Sequence, residues 1–273
     1  MKYIELSELK RLQVELLEKI HQFCKQNNIR YSLSYGTLIG AIRHHGYIPW
    51  DDDIDIMMPR PDYERFLEKF NGCFPDIFVK APELIWSYYA PYANVIDTRI
   101  VLSEEHTNHL GEQIGMKIDV FPVDGAPSDE KDYLLLKKKV SEINEILAYK
   151  RWHWCSFMKA LKKSKKSFAY AVYNRLAHII HPYSYYQRKL HDTVTELNFD
   201  KEEYADILAF GVNFDTRLKR SIFESYTEVA FEGNYFCSIK DYDSFLSVNY
   251  GNYMKLPPLE EQIPHHGFKA YWK

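Results

Sequence analysis

The stretch "GTLIGAIRHHGYIPWDDDIDIMMPR", residues 36–60, contains an unusually dense group of acidic residues. It places four carboxylates in five positions, at Asp51, Asp52, Asp53 and Asp55, and an apolar run follows them. Like charges this close repel one another, and burying one without a partner costs several kcal/mol. Two explanations compete: a solvated acidic turn, or a site for a divalent cation that cancels the repulsion.

The alternation of residue types from 51 to 57 favours the cation site. In an extended strand, Ile54 and Ile56 lie on one face, whereas Asp51, Asp53 and Asp55 lie on the other. A solvated turn has no need of this alternation. We therefore predict an acidic strand with one apolar face.

Two other acidic motifs fit the stretch less well. An EF-hand loop requires Gly at its sixth position and Glu at its twelfth, where this chain has Ile56 and Asp62. A glycosyltransferase-type acidic pair normally follows a nucleotide-binding βαβ half, whereas this cluster already begins at residue 51. Neither alternative is favoured.

The residues before the acidic strand predict a phosphate-binding turn. A strand over 31–35 is followed by Gly36 and Thr37, and then by a short apolar helical pattern that ends at Gly46. Gly36 allows close approach of the backbone, and Thr37 offers a hydroxyl beside the helix N-terminus, where unpaired N–H groups attract phosphate. Phosphate and metal would then share one site.

A further carboxylate lies in "KIDVFPVDG", residues 117–125. Ile118 and Val120 face one way along this predicted strand, and Asp119 faces the other. A lone Asp within a strand is costly unless a positive group meets it, so Asp119 is the natural third carboxylate of the site. Asp124 is better explained by the Asp-Gly turn.

Periodicity predicts the remaining elements. The residue pattern changes at residue 128, after which helical periodicity dominates. We therefore expect a catalytic core over 1–127 and a mostly helical region over 128–273 packed on that core. The predicted helices are 7–26 with Ser7 as N-cap, 61–70, 129–150, 157–180, 183–197 and 242–250, and the predicted extended segments are 77–80, 93–102 and 116–121.

Composition excludes several classes of protein. With 273 residues, 46% of them hydrophobic, the chain can bury a substantial core. A net charge of −3 provides no global basic field for nucleic acid. No apolar run suits a signal peptide or a bilayer span, and the four cysteines have the spacing of reduced thiols. We therefore expect a cytoplasmic protein.

The basic run "KALKKSKK", residues 159–166, has two interpretations. It is either a solvated helix face or a segment that draws the protein to anionic lipid. The second interpretation predicts a peripheral position on the inner face of the cytoplasmic membrane.

The stretch "YGTLIGAIRHHGYIPWDDDIDIMMPRPDYERF" resembles the signature of the LicD family, the bacterial cholinephosphotransferases of surface glycans. This family belongs to the nucleotidyltransferase-fold superfamily and is distantly similar to fukutin-type transferases. The match extends to "KIDVFPVDG" and to "YGNYMKLPP" near the C-terminus. The resemblance implies an α/β (α+β) fold, with a nucleotidyltransferase-like mixed-sheet core and a helical C-terminal portion. Relatives often have a Lys a few residues before a Thr, where this chain has Asn94 and Ile100. If that Lys helps to hold phosphate, either Arg99 replaces it here or the donor differs.

The resemblance also implies an activity. A CDP-choline-type donor would give phosphocholine to a sugar hydroxyl of lipopolysaccharide, teichoic acid or capsule, so the partners are a CDP-linked donor and a glycan or glycolipid acceptor, with no nucleic acid. The alternatives are transfer of another phospho-substituent, such as glycerol phosphate, or a non-catalytic, metal-stabilised glycan-binding protein.

In this family's pattern the metal, Mg²⁺ or Mn²⁺, is held by Asp53, Asp55 and Asp119, which are also the expected catalytic residues. Asp119 is the candidate for deprotonating the acceptor hydroxyl. The expected substrate-binding residues are Gly36, Thr37, Arg43, Trp50, Asp51, Asp52, Arg60 and His265. An aromatic cage for choline would be drawn from Tyr47, Trp50, Trp86, Tyr88 and Tyr89.

Overall fold

The computed structural model describes residues 2–104, 114–151, 164–166, 168–169, 172–173, 180–210, 215–263 and 268–273. These residues form the mixed α/β fold that the sequence predicts. The helices are α1 (Leu6–Gln26), α2 (Tyr35–His44), α3 (Arg60–Phe70), α4 (Glu130–Arg151), α5 (Tyr183–Val194) and α6 (Tyr242–Tyr250). The strands are β1 (Lys2–Ile4), β2 (Ser32–Leu33), β3 (Asp55–Pro59), β4 (Ile77–Lys80), β5 (Ala93–Glu104), β6 (Ile114–Ala126), β7 (Tyr204–Asp206), β8 (Leu218–Lys219), β9 (Tyr226–Phe231), β10 (Asn234–Ile239) and β11 (Phe268–Trp272).

In the described part of the chain, nine strands form one mixed sheet. Its main order is β1-β11-β5-β6-β3-β2, with β4 on β5, β7 on β6 and β8 on β7. β3 and β6 run parallel, and in their register Asp55 lies beside Asp119. The antiparallel neighbour β5 places Asn94 beside Asp119 from the other side. The two carboxylates predicted from separate motifs therefore occupy adjacent strands.

Helix α1 covers the sheet with its apolar face. Leu9, Leu16 and Ile20 recur at helical spacing and are buried in the main core. The helix begins at Leu6 with Glu5 at the N-cap position, so the predicted Ser7 cap is wrong. The physical reason is the preceding strand β1, which pairs with the distant β11 and brings the chain into the helix earlier.

The acidic segment is only partly a strand. We predicted a strand from residue 51, but β3 begins at Asp55, and Asp51 to Asp53 lie in the loop before it. β2 pairs only with Met57 and Ile56, and the pairing with β6 starts at Asp55 although β6 itself begins at Ile114. Before Asp55 the backbone forms other bonds, since the N–H of Asp51 donates to the carbonyl oxygen of Ile48 at 2.9 Å. The single-face arrangement predicted for Asp51, Asp53 and Asp55 is therefore wrong for the first two.

The second half of the chain adds both helices and strands. The expected boundary at residue 127 falls between β6 and α4, and a smaller apolar cluster joins α4 to α5. The predicted helices 129–150, 183–197 and 242–250 correspond to α4, α5 and α6. The predicted helix 157–180 lies largely outside the described residues. No helix in the described ranges is long and apolar enough to cross a membrane.

Candidate active site

The site is built around the loop that precedes β3. Asp51, Asp52 and Asp53 each bring one carboxylate oxygen within 4.8 Å of the others. Asp55 follows at the first position of β3, directly beside Asp119. We call residues 51–55 the acidic loop. Carboxylate oxygens converging in this way suit a hard divalent cation.

Helices α1 and α2 hold the acidic loop in place. Gln13 of α1 is buried, and its Nε2 donates to the carbonyl oxygen of Asp52 at 2.9 Å. The Tyr47 hydroxyl donates to Gln13 Oε1 at 2.9 Å, so this tyrosine, expected as part of an aromatic cage, supports the loop instead. The backbone N–H of Asp55 donates to Thr37 Oγ1 at 2.9 Å. The loop is therefore fixed from two sides.

The N-terminus of α2 lies against the acidic loop. A Cβ atom added at Gly36 would lie 2.6 Å from Asp51 Oδ2, so a side chain there would displace this carboxylate. Tyr35 has a φ of 43°, a left-handed conformation that costs a non-glycine residue about 1–2 kcal/mol. Its ring packs on Phe121 and Phe245, which helps to hold this turn. Backbone N–H groups at a helix N-terminus attract anions, so phosphate would bind close to the carboxylates.

The loop carboxylates are partly buried and repel one another. Burial, and next the nearby Asp53 carboxylate, raise the pKa of Asp51 to about 7. The pKa of Asp55 lies well above its usual range because the group is buried and because Asp53 and Asp119 are close. At neutral pH a bound cation would therefore stabilise the loop, because it would reduce the repulsion between these carboxylates. The carboxylate oxygens, and the close fit of Gly36 against Asp51, suit a divalent ion.

Asp119 has a different environment. The Lys117 ammonium donates to both of its oxygens, at 2.8 and 3.0 Å, and the Asn94 amide donates to Oδ1. Burial raises the pKa of Asp119, and the Lys117 ammonium opposes this rise. The sequence marked Asn94 only as a departure from its relatives and did not indicate its bond to Asp119, and it gave Lys117 no role. The signal for Lys117 was present, since it lies two residues before Asp119 in β6 and so shares its face.

A cleft of about 820 Å³ opens beside the acidic loop. Its lining includes Gly36 and Trp50, the loop residues Asp51, Asp53 and Asp55, and also Asp206 and residues from 249–261. Tyr35, Tyr250 and Tyr253 add aromatic rings to this lining, and sequence reasoning did not assign them to the site. The part of the cleft lined by described residues is thus both acidic and aromatic.

Arg43 lies at the edge of this cleft. Its guanidinium donates to the backbone carbonyl oxygen of Tyr253 and, at 3.4 Å, to that of Lys255. These bonds join α2 to the C-terminal segment 249–261. Arg43 therefore holds a wall of the cleft as well as carrying positive charge beside the acidic loop.

The other residues expected in the site lie elsewhere. Arg60 is buried in ion pairs with Asp124 and Glu83 and is not among the described residues that line the cleft. The Trp86 ring lies under the Arg188 guanidinium. Tyr88 and Tyr89 direct their hydroxyls to Asn94 and line a smaller pocket on the sheet. His265 lies outside the described residues, as do residues 159–163 of the basic run, whereas Lys165 and Lys166 are exposed.

Comparison with known proteins identifies the family of this chain. Residues 28–131, which include the acidic loop and Asp119, match the family described as LicD/FKTN/FKRP, nucleotidyltransferase domain. The chain is 31% identical over 275 residues to lipopolysaccharide cholinephosphotransferase LicD of Haemophilus influenzae, covering 99% of both chains. Shorter matches link it to uncharacterized proteins of Rickettsia typhi, 39% identical over 26% of this chain and 24% of that one, and of Rickettsia prowazekii, 46% identical over 18% of each. The full-length similarity shows that this chain belongs to the LicD family of phosphotransferases.

Proposed function

We propose that this protein transfers phosphocholine from a CDP-choline-type donor to a sugar hydroxyl of a cell-surface glycan. The observation that carries the proposal is the group of carboxylates from Asp51 to Asp55, packed against the N-terminus of α2. The full-length similarity to a lipopolysaccharide cholinephosphotransferase supports choline as the transferred group and lipopolysaccharide as one candidate acceptor.

The residues present fit a divalent ion. Asp53 and Asp55 would hold Mg²⁺ or Mn²⁺, with Asp51 and Asp52 beside them. When bound, the ion would neutralise the negative charge of the donor diphosphate. The backbone N–H groups at the start of α2 would bind a phosphate oxygen, because Gly36 lets them approach the loop closely.

The acceptor hydroxyl would be placed by Asp119. Its carboxylate lies beside Asp55, so a hydroxyl bound to it would be close to a phosphate held at the acidic loop. Asp119 would orient the hydroxyl and accept its proton as the hydroxyl oxygen bonds to phosphorus and the bond from phosphorus to the bridging oxygen breaks, which releases CMP. Lys117 and Asn94 would keep the carboxylate in one orientation.

The aromatic lining of the cleft suits a quaternary ammonium group. Trp50, Tyr35 and Tyr250 line the space next to the loop carboxylates. A trimethylammonium group has no N–H to donate to a carboxylate, whereas aromatic faces attract its charge. The cleft therefore favours choline over a primary amine.

A donor panel tests this function. We expect Mg²⁺-dependent CMP release from CDP-choline that exceeds release from CDP-ethanolamine by about 2- to 30-fold, which corresponds to a cation–π gain of about 0.5–2 kcal/mol. Release would be measured for CDP-choline, CDP-ethanolamine and CDP-glycerol, each with Mg²⁺ or with a chelator. Equal turnover of CDP-ethanolamine would contradict choline recognition by aromatic rings. Preference for CDP-glycerol would assign a different donor, and no turnover of any donor would favour a glycan-binding protein.

We also expect the stabilisation by Mg²⁺ to grow with pH. The pKa of Asp51 is about 7 in the folded chain and 3.8 for the unperturbed group, so the folded state retains a proton that the unfolded state has lost. The metal-free protein therefore loses stability as pH rises through 7, and Mg²⁺ competes with that proton below 7. The increase in melting temperature on adding saturating Mg²⁺ should be larger at about pH 8 than at about pH 6. Thermal melts measure this, with Asp51→Asn as control, and an equal increase at both pH values would contradict it.

A further inference from the structure

The Asp119 carboxylate is already occupied by protein groups. Lys117 Nζ lies 2.8 Å from Oδ1 and 3.0 Å from Oδ2, Asn94 donates to Oδ1, and the Tyr92 hydroxyl forms another hydrogen bond. An ionised carboxylate offers about four lone-pair positions. Asn94 is itself buried and accepts a hydrogen bond from the Tyr88 hydroxyl, so its amide is held in this orientation. These four hydrogen bonds match the four positions, so a metal ion would have to displace the Lys117 ammonium, whereas an acceptor hydroxyl would replace only a neutral donor such as the Tyr92 hydroxyl.

The strand geometry makes this pairing a fixed feature of the site. Lys117 and Asp119 alternate along β6 and so lie on the same face of the sheet. Both side chains are mostly buried, with exposed fractions of 26% for Lys117 and 13% for Asp119. The ammonium is thus held close to Asp55 as well, because β6 pairs with β3.

The acidic loop and Asp119 differ in what they can bind. Asp51, Asp52 and Asp53 converge within 4.8 Å, and neither Asp55 nor Asp119 belongs to this group. Of these two carboxylates, Asp119 is the one with which the Lys117 ammonium forms an ion pair. A divalent ion bound to Asp119 would lie next to the Lys117 ammonium, and two cations on one carboxylate repel each other strongly in a partly buried site. A divalent ion at the loop avoids this repulsion.

We propose that the Lys117 ammonium takes the place of a second divalent ion, so that the protein binds one such ion, at the acidic loop, and none at Asp119. This inference rests on the proposed function only for the identity of the ion. Lysine provides a compact point charge that binds phosphate oxygens well. Lys117 would then supply, on the acceptor side, the positive charge that paired-metal sites obtain from their second ion.

Manganese binding to the full chain without donor tests this inference. Free Mn²⁺ would be followed by electron paramagnetic resonance during titration of the wild type and of single variants. We expect one ion per chain in the wild type and in Asp119→Asn, with similar affinity. We expect Asp53→Asn to weaken binding by about tenfold or more. Lys117→Met should bind a second ion, because it leaves the Asp119 carboxylate without its cation beside Asp55.

Two lysine variants serve as controls. Lys117→Arg keeps the positive charge and should bind one ion, and so should Lys219→Met, which changes a lysine whose side chain is 65% exposed on β8. Circular dichroism melts check that each variant folds. If Lys117→Met fails to fold, the comparison of Asp119→Asn with Asp53→Asn still tests the inference. Mn²⁺ binding weakens only when the replaced carboxylate is one that binds the ion.

Three results would overturn the inference: two ions in the wild type, equal loss of affinity in Asp119→Asn and Asp53→Asn, or a folded Lys117→Met protein that binds only one ion. Failure of the proposed function is distinguishable from these. Two bound ions together with Mg²⁺-dependent CMP release would retain the function and reject the role of Lys117. One bound ion without turnover of any donor would retain the role of Lys117 and reject the proposed function.

Discussion

Replacing Asp53 or Asp55 by Asn is expected to reduce donor turnover by roughly 10²- to 10³-fold or more, since each change removes a carboxylate that is proposed to hold the divalent ion. Metal-free stability should stay equal or rise slightly. Asp53 raises the pKa of both Asp51 and Asp55, so its removal relieves repulsion in the folded state. The gain in melting temperature on adding Mg²⁺ should be smaller in both variants than in the wild type.

Turnover assays and thermal melts with and without Mg²⁺ measure these effects together. Asp200→Asn, a change at an exposed position between α5 and β7, is the matched control and should leave both quantities unchanged. A solvated acidic turn predicts the opposite pattern: retained turnover, little response to metal, and some loss of stability from missing turn hydrogen bonds. An active Asp53→Asn protein would therefore end the metal-site interpretation.

Replacing Arg60 by Leu is expected to produce the largest loss of stability, about 3–5 kcal/mol in the free energy of unfolding. Its guanidinium lies 2.6 and 3.0 Å from the two oxygens of Asp124 and 3.0 Å from Glu83. Asp124 is buried, so removing its partner leaves an uncompensated buried charge. Urea unfolding measures the change.

The control for Arg60 is Arg11→Leu. Arg11 is 61% exposed and forms an ion pair with Glu15 on the surface of α1, so its loss should change stability by less than about 0.5 kcal/mol. The sequence-based expectation made Arg60 a substrate-binding residue. Normal stability of Arg60→Leu, combined with strongly reduced donor turnover, would restore that role and contradict the structural one.

The sequence by itself identified the parts of the site that depend on local pattern. The density of carboxylates at residues 51–55, the turn at Gly36 and the isolated Asp119 within an apolar strand all follow from residue type and spacing over a few positions. Helices such as α1, α3 and α6 were predicted closely because their apolar residues recur at the helical period. Such features need no knowledge of what lies across the molecule.

Tertiary structure decided which groups meet. Gln13 supports Asp52 across 39 positions of sequence, and Arg43 binds a segment more than 200 residues away. The sequence predicted that Arg60 binds substrate, but in the fold Arg60 is buried in an ion pair with Asp124. The fold also pairs Asp119 with a cation from the same strand, Lys117. The physical reason is that strand register and the packing of apolar faces set these contacts. β3 pairs with β6 from Asp55 onward, and this leaves Asp51 to Asp53 as a loop whose carboxylates converge.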